Sequence, residues 1–251
     1  MINTLNESQL HKALKTFYAV QFSAQEEVQV ERWICDLVCP DGSVVEIQNK
    51  NVSALKEKVR ALLAAKRRVT IVHPIIRQKT IKTFSSDGKL LSSRKSPKKE
   101  CLRSSLREYT GLTEFLADKR FALLCPEITV EERRVQSDIP QQSKNKRRRF
   151  KKAWQKTDKA LLTIGGSFKL SGKKDWLGLL PKKILATGKS GQPFCAATIR
   201  EAFIEEEKKE AAPHANILLW ILRKAGLIER VPHEGRSYWY VLSQGTLRLK
   251  P

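Results

Sequence analysis

VVEIQNKNVSALKEKV, Val44 to Val59, is the stretch whose reading decides the fold. It begins as an apolar strand interrupted by a carboxylate, Glu46, with Gln48 and Lys50 following at two-residue intervals. It then passes into helical spacing, with Leu55, Val59, Leu62 and Leu63 on one side. Strand alternation predicts that Glu46, Gln48 and Lys50 share a face. The preceding turn provides a partner for Glu46. Cys39-Pro-Asp-Gly-Ser43 suits a three-residue hairpin loop, a type I turn with Gly42 in the left-handed position. Such a loop pairs Cys39 with Ser43, and counting back along both strands places Asp36 opposite Glu46, with Cβ atoms about 5 Å apart. Carboxylates that close repel each other unless one is protonated or a cation lies between them. Mg²⁺ prefers carboxylate oxygen, keeps several waters and suits phosphoryl chemistry.

Outward from this stretch the pattern alternates. Asn6 is placed to cap a helix over QLHKALKTFYA, and EEVQVERWICDLVCP reads as one long bent strand or two short ones. VTIVHPI reads as a continuous strand buried on both faces, and TIKTFSSDGKLLSS as a hairpin about Asp87-Gly88. CLRSSLREYTGLTEFLAD is predicted helical and FALLCPEITVEERRV a strand. The polar, basic run QQSKNKRRRFKK then breaks the pattern and marks a boundary. Beyond it come helices over CAATIREAFIEEEKKE and PHANILLWILRKAG, closed by a hairpin of LIERV and RSYWYVL. The expected division is a first domain over 1–140, a basic linker over 141–155 and a second domain over 156–251.

The chain of 251 residues carries 48 Lys and Arg against 26 Asp and Glu, a net charge of +22. That excess points to a polyanionic partner, with DNA first and an anionic membrane surface second. It is concentrated in residues 141–200, which hold 16 basic against 2 acidic side chains. No apolar run approaches the roughly 18 residues of a membrane span, and MINTLNESQL lacks a signal-peptide pattern. The expected location is cytoplasmic. Five scattered cysteines suit reduced thiols rather than a disulfide framework. There is no phosphate-cradling GxxxxGK[ST] motif, and His11, His73, His214 and His233 are dispersed.

The order helix, strands, helix, strand, with Asp36 before a hairpin and Glu46-Ile47-Gln48 after it, resembles the PD-(D/E)xK nuclease superfamily. The resemblance covers residues 1–76. It implies an α/β (α+β) restriction-endonuclease-like core with a central mixed sheet, and Mg²⁺ (or Mn²⁺) held by Asp36 and Glu46. Glu7 would be an accessory ligand. It also implies a lysine that orients the attacking water and steadies charge on the phosphate. Position 48 departs from the pattern, with Gln in place of that lysine. Lys50, on the same strand face, and Lys58, on the following helix, are the candidates to replace it. The alternative is a non-catalytic DNA-binding or adaptor protein, or a transcription regulator, that keeps a decayed nuclease fold. More narrowly, EIQ-x-x-N-x-SALK, VHPI, RKSPKK and LLP…PF resemble an uncharacterised bacterial family that joins such a core to a winged helix.

Helix, helix and an aromatic hairpin at the C-terminus resemble a winged helix, with Pro213 to Lys224 as recognition helix. His214, Asn216, Arg223, Lys224 and Arg236 are its candidate nucleic-acid contacts, while Leu219 and Trp220 are expected in the core. Lys144, Lys146, Arg147, Arg148, Arg149, Lys151 and Lys152 would bind backbone phosphate. A protein partner or a homodimer through the winged helix is the other use of that domain.

Overall fold

The computed structural model describes residues 8–142 and 151–244. Helix α1 (Gln9–Gln21) is capped by Ser8, whose hydroxyl accepts from the His11 amide. Two strands follow rather than one bent one, β1 (Gln25–Val30) and β2 (Trp33–Val38), then β3 (Val44–Ile47). A 3₁₀ turn (Val52–Leu55) leads into α2 (Lys56–Ala64), which returns the chain to β4 (Val69–Val72). β1, β2 and β3 are antiparallel neighbours, and β4 lies parallel to β3. Leu10, Leu14 and Tyr18 of α1 cover one face of this sheet, where Leu37, Val45 and Ile47 lie. Val59 and Leu62 of α2 cover the other, with Val44 and Ile71. Each such fully buried aliphatic side chain contributes roughly 1.5–3 kcal/mol.

The stretch expected as one strand, VTIVHPI, is broken at His73-Pro74, since proline has no amide to donate. β5 (Ile75–Phe84) starts after it and forms the expected hairpin with β6 (Leu90–Lys95), with Gly88 at φ +89°. The segment predicted helical is helical over Leu102–Leu112, as a 3₁₀ helix. β7 (Phe121–Gln141) pairs in parallel with β4 through its first residues and with β5 further on. Its opposite edge takes β8 (Lys152–Ser171), antiparallel from Ala122↔Ser171 to Gln141↔Lys152. The sheet order is β1-β2-β3-β4-β7-β5-β6, with β8 on β7.

This pairing moves the expected domain boundary. Residues 152–171 belong to the first sheet, so the basic run joins two paired strands, and the chain leaves the sheet after Ser171 rather than near residue 140. The C-terminal unit comprises α3 (Gly172–Leu177), α4 (Lys182–Lys189), β9 (Phe194–Cys195), α5 (Ala196–Glu205), α6 (Ala215–Lys224), β10 (Ile228–Val231) and β11 (Trp239–Leu242). Its sheet runs β10-β11-β9. The two units share one core. Trp176, fully buried, meets Tyr109 edge-on, and the Arg103 guanidinium lies over Phe203 while donating to the Leu179 carbonyl. None of the described helices is long and apolar enough to cross a membrane.

Candidate functional site

The turn after β2 forms as its residues dictate. Cys39 N donates to Ser43 O at 2.9 Å, Gly42 N to Cys39 O at 2.9 Å, and Gly42 takes φ +76°. The Asp41 carboxylate accepts from the Ser43 amide and hydroxyl, which fixes the loop. The ladder then runs for two pairs, Val38↔Val44 and Leu37↔Val45. The next position in that register sets Asp36 against Glu46.

At that position carboxylates enter where backbone bonds would be. Asp36 N donates to Glu46 Oε1 at 3.3 Å, and Ile47 N donates to Asp36 Oδ2 at 2.7 Å. Each acid therefore accepts from the backbone of the opposite strand, and the two strands part. The other side of Asp36 is irregular too. The β1–β2 ladder passes from Glu26↔Leu37 to Val28↔Cys35, and Glu27, between them, takes φ +54°. A left-handed non-glycine residue costs roughly 1–2 kcal/mol, and such strain clusters at functional sites. Glu27 is held there by Lys15 of α1 at 2.8 Å.

Two helices close the fork. Lys58 of α2 is buried, with Nζ 2.6 Å from Glu46 Oε2 and 2.6 Å from the Ile34 carbonyl. His11 of α1 brings Nε2 to 3.6 Å from Asp36 Oδ2. Glu46 is almost wholly enclosed, whereas about a quarter of the Asp36 side chain meets solvent. Burial pushes the Glu46 carboxyl up to about 7; Lys58 opposes this rise and the Asp36 charge adds to it. Burial also works against ionisation of Asp36. It is outweighed by hydrogen bonding from His11 and the Ile47 amide, with the His11 and Lys58 charges, so Asp36 lies below the usual carboxylate range. The pair is thus split, with one acid firmly ionised and the other poised near neutrality. The adjoining Cys35 thiol is pushed up to about 11, chiefly by burial, and stays protonated.

The other expected members sort differently. β3 ends at Ile47, so alternation does not extend to Gln48 and Lys50. Gln48 donates its amide to the Lys50 carbonyl at 2.7 Å, and the backbone turns at Asn51, φ +54°. Lys50 lines a separate cleft with His73, Lys79, Lys156 and Lys159. Of the two candidate lysines, only Lys58 reaches the carboxylates. Glu7 lies outside the described residues, as do Lys144, Lys146, Arg147, Arg148 and Arg149. Among the described residues no group of three His, Cys, Asp or Glu gathers in a way that could hold a metal. Sequence reasoning missed His11. Its signal is local, since the α1 turn that buries Leu10 and Leu14 sets His11 at the rim of that face.

In the C-terminal unit, Asn216, Trp220 and Arg223 recur at helical spacing on the exposed side of α6, opposite buried Leu218 and Leu222. With Arg200, Arg236 and Tyr238 they line a groove of about 470 Å³. Trp220 is 39 % exposed, which corrects its expected place in the core; Leu219 is buried as expected. Lys224 lies over the Trp220 ring at 5.9 Å. His214 does not join this face. It is partly buried, and burial lowers its pKa, helped by Arg107 and Arg103 of the first unit. Lys151 is exposed, and Lys152 opens β8 with its ammonium 4.2 Å from the Trp154 ring.

Residues 8–171 match the family model described as Domain of unknown function (DUF8091). The chain belongs to this DUF8091 family. The matched segment ends at Ser171, where β8 leaves the sheet, so the DUF8091 domain comprises the fork, the two helices that close it and the whole β7–β8 pair. A protein of Treponema pallidum (strain Nichols), described as an uncharacterized protein, is 29 % identical over 239 residues, covering 95 % of this chain and 86 % of that protein. No solved structure matches the chain.

Proposed function

We propose that the protein is a Mg²⁺-dependent DNA endonuclease of the PD-(D/E)xK type, whose motif lysine is supplied by α2. The observation that carries this reading is the reciprocal Asp36–Glu46 fork with Lys58 Nζ 2.6 Å from Glu46. The order α1-β1-β2-β3-α2-β4, with β3 and β4 parallel and the acids between β2 and β3, supports a restriction-endonuclease-like core.

The donor set fits Mg²⁺ better than zinc, since two carboxylates leave room for the several waters that Mg²⁺ retains. Enclosure of two acids, with the charge on one raising the pKa of the other, favours a cation between them. When bound, the ion would activate water and neutralise charge on the phosphate. Asp36 and Glu46 are the residues that would hold it. Lys58, fixed by the Ile34 carbonyl, orients the attacking water and faces the negative charge that develops on the phosphoryl oxygens. Gln48, with its amide committed to Lys50 O, has no direct part. His11 positions Asp36.

The order α4-β9-α5-α6-β10-β11 of the C-terminal unit supports a winged-helix reading. Its exposed Asn216, Arg223 and Arg236 are suited to DNA, with Trp220 and Tyr238 as apolar contact surface. Lys151 and Lys152, with the rest of the basic run, would add phosphate contacts. The test is cleavage of plasmid and branched DNA with Mg²⁺ by the wild type, Asp36→Ala and Lys58→Met. Cleavage by the wild type alone, with binding retained in both variants, supports the enzyme. Tight, salt-sensitive binding without cleavage of any substrate leaves a DNA-binding protein on a decayed nuclease fold.

A further inference from the structure

Beyond the carboxyl ends of β3 and β4, where parallel strands commonly place ligands, the structure opens a cleft of about 480 Å³ lined by six lysines and three glutamates. The glutamates are committed to the fold. Glu108 accepts from Asn51 N at 2.6 Å, Glu100 from Ile76 N at 3.1 Å, and Glu132 pairs with Lys79 and Arg134. Of the six lysines, Lys79 is matched by Glu132 and Lys98 lies 4.0 Å from Glu100. Among the described residues, neither Lys50, Lys156 nor Lys159 makes an ion pair, yet Lys159 is only 9 % exposed. Unpaired cations at that depth are rare.

Their convergence is built into the sheet. Three positions separate Lys156 from Lys159, so plain alternation would put them on opposite faces. The β7–β8 register shifts between Arg133↔Asp158 and Arg134↔Lys156, and the Thr157 hydroxyl donates to the Arg133 carbonyl at that point. The bulge turns Lys156 and Lys159 into the same cleft. Lys79 comes from β5 and Lys50 from the turn after β3. Burial, followed by Lys156, Lys50 and Lys79, pulls the Lys159 ammonium down to about 8.

The cleft begins just past the end of β3, the strand that carries Glu46. Asn49, three residues past Glu46, lines it and reaches Ser8, the cap of the helix that presents His11 to Asp36. We propose that this lysine cleft is a phosphate-binding subsite for a nucleic-acid strand, seating a phosphate adjacent to the one placed at Asp36 and Glu46. The choice of nucleic acid over another phosphate rests on the nuclease reading; the anion site itself rests on the lysines alone. The phosphate could be a terminal monoester or an internal diester of the strand.

The experiment is equilibrium binding, in EDTA so that cleavage plays no part, by the wild type, Asp36→Ala and the double variant Lys156→Gln/Lys159→Gln. The probes are a 5′-phosphorylated single strand, the same strand with a 5′-hydroxyl, and a circular single strand. Thermal unfolding without ligand accompanies each variant. The double variant is expected to unfold no earlier than wild type, because removing the two charges relieves repulsion. It should bind at least tenfold more weakly, with the salt slope reduced by about one. A wild-type preference for the 5′-phosphorylated strand assigns the cleft to a terminal phosphate, and equal affinity for all three probes assigns it to an internal one. Asp36→Ala combined with the same two lysine changes should lose affinity relative to Asp36→Ala by the same factor, so loss of cleavage would not touch this result. Unchanged affinity and salt slope in the folded double variant overturn the subsite while leaving the nuclease reading standing.

Discussion

Replacing Glu46 by Gln removes a carboxyl that folding makes harder to ionise. In the unfolded chain it titrates near 4.5, and in the folded protein at about 7. Between those values the native state holds one proton more than the unfolded state, so stability falls as pH rises, by about 1.4 kcal/mol per pH unit. The full window amounts to about 3 kcal/mol, present below pH 4.5 and lost by pH 7. Asp36 acts in the opposite sense and elsewhere. Its pKa is depressed, so its contribution is present above the unfolded value of 3.8 and is lost only as pH falls below it. Urea unfolding at pH 5, 6, 7 and 8, without divalent ions, should therefore show wild-type stability falling relative to Glu46→Gln by about 2.5 kcal/mol across the series. Parallel profiles for the two proteins would refute the poised Glu46, and with it the account of why a cation is favoured there.

Lys58→Met removes the strongest influence that keeps Glu46 ionised. It should shift the pH midpoint of Mg²⁺ binding upward and lower cleavage at pH 7 by about a hundredfold or more; an unshifted midpoint by calorimetric titration contradicts the role given to Lys58. Gly111→Ala should destabilise the protein by about 1–3 kcal/mol, because its Cβ would come within 2.7 Å of the Ser53 side chain, which bonds both Gly111 N and Glu108 O; unfolding at wild-type urea concentration would show that the 3₁₀ segments yield freely. Arg223→Ala with Arg236→Ala should weaken DNA binding about tenfold, reduce its salt slope by one or two and leave the cleavage rate of bound DNA unchanged, as measured by single-turnover kinetics; wild-type affinity would remove the α6 groove from the DNA contact surface.

The fork was legible because a turn fixes a register. Pro, Asp and Gly in CPDGS leave one good loop, and the sum of partner positions then follows from geometry. Asp87-Gly88 was legible for the same reason. The strand FALLCPEITVEERRV was legible, but its continuation past Val135 and the long strand β8 were not. The opening of β8, KAWQKTDK, is polar with no apolar stripe, so alternation gives no sign of a strand there. The basic run then reads as a linker, although it joins paired strands. The choice between Lys50 and Lys58 was also hidden. It depends on β3 ending at Ile47 and on how α2 packs across the sheet, which are tertiary facts. Trp220 was misplaced because hydrophobicity predicts burial, whereas its position on α6 faces the groove.

Asp36, Glu46 and Lys58 are proposed to form a Mg²⁺-dependent phosphodiester-cleaving site. Single-turnover cleavage of labelled branched DNA at pH 8, by wild type and Lys58→Met with and without Mg²⁺, tests it most directly. Wild type is expected to cleave only with Mg²⁺, and Lys58→Met to cleave little or not at all although it binds the DNA equally well. Equal cleavage by the two proteins would contradict the proposal.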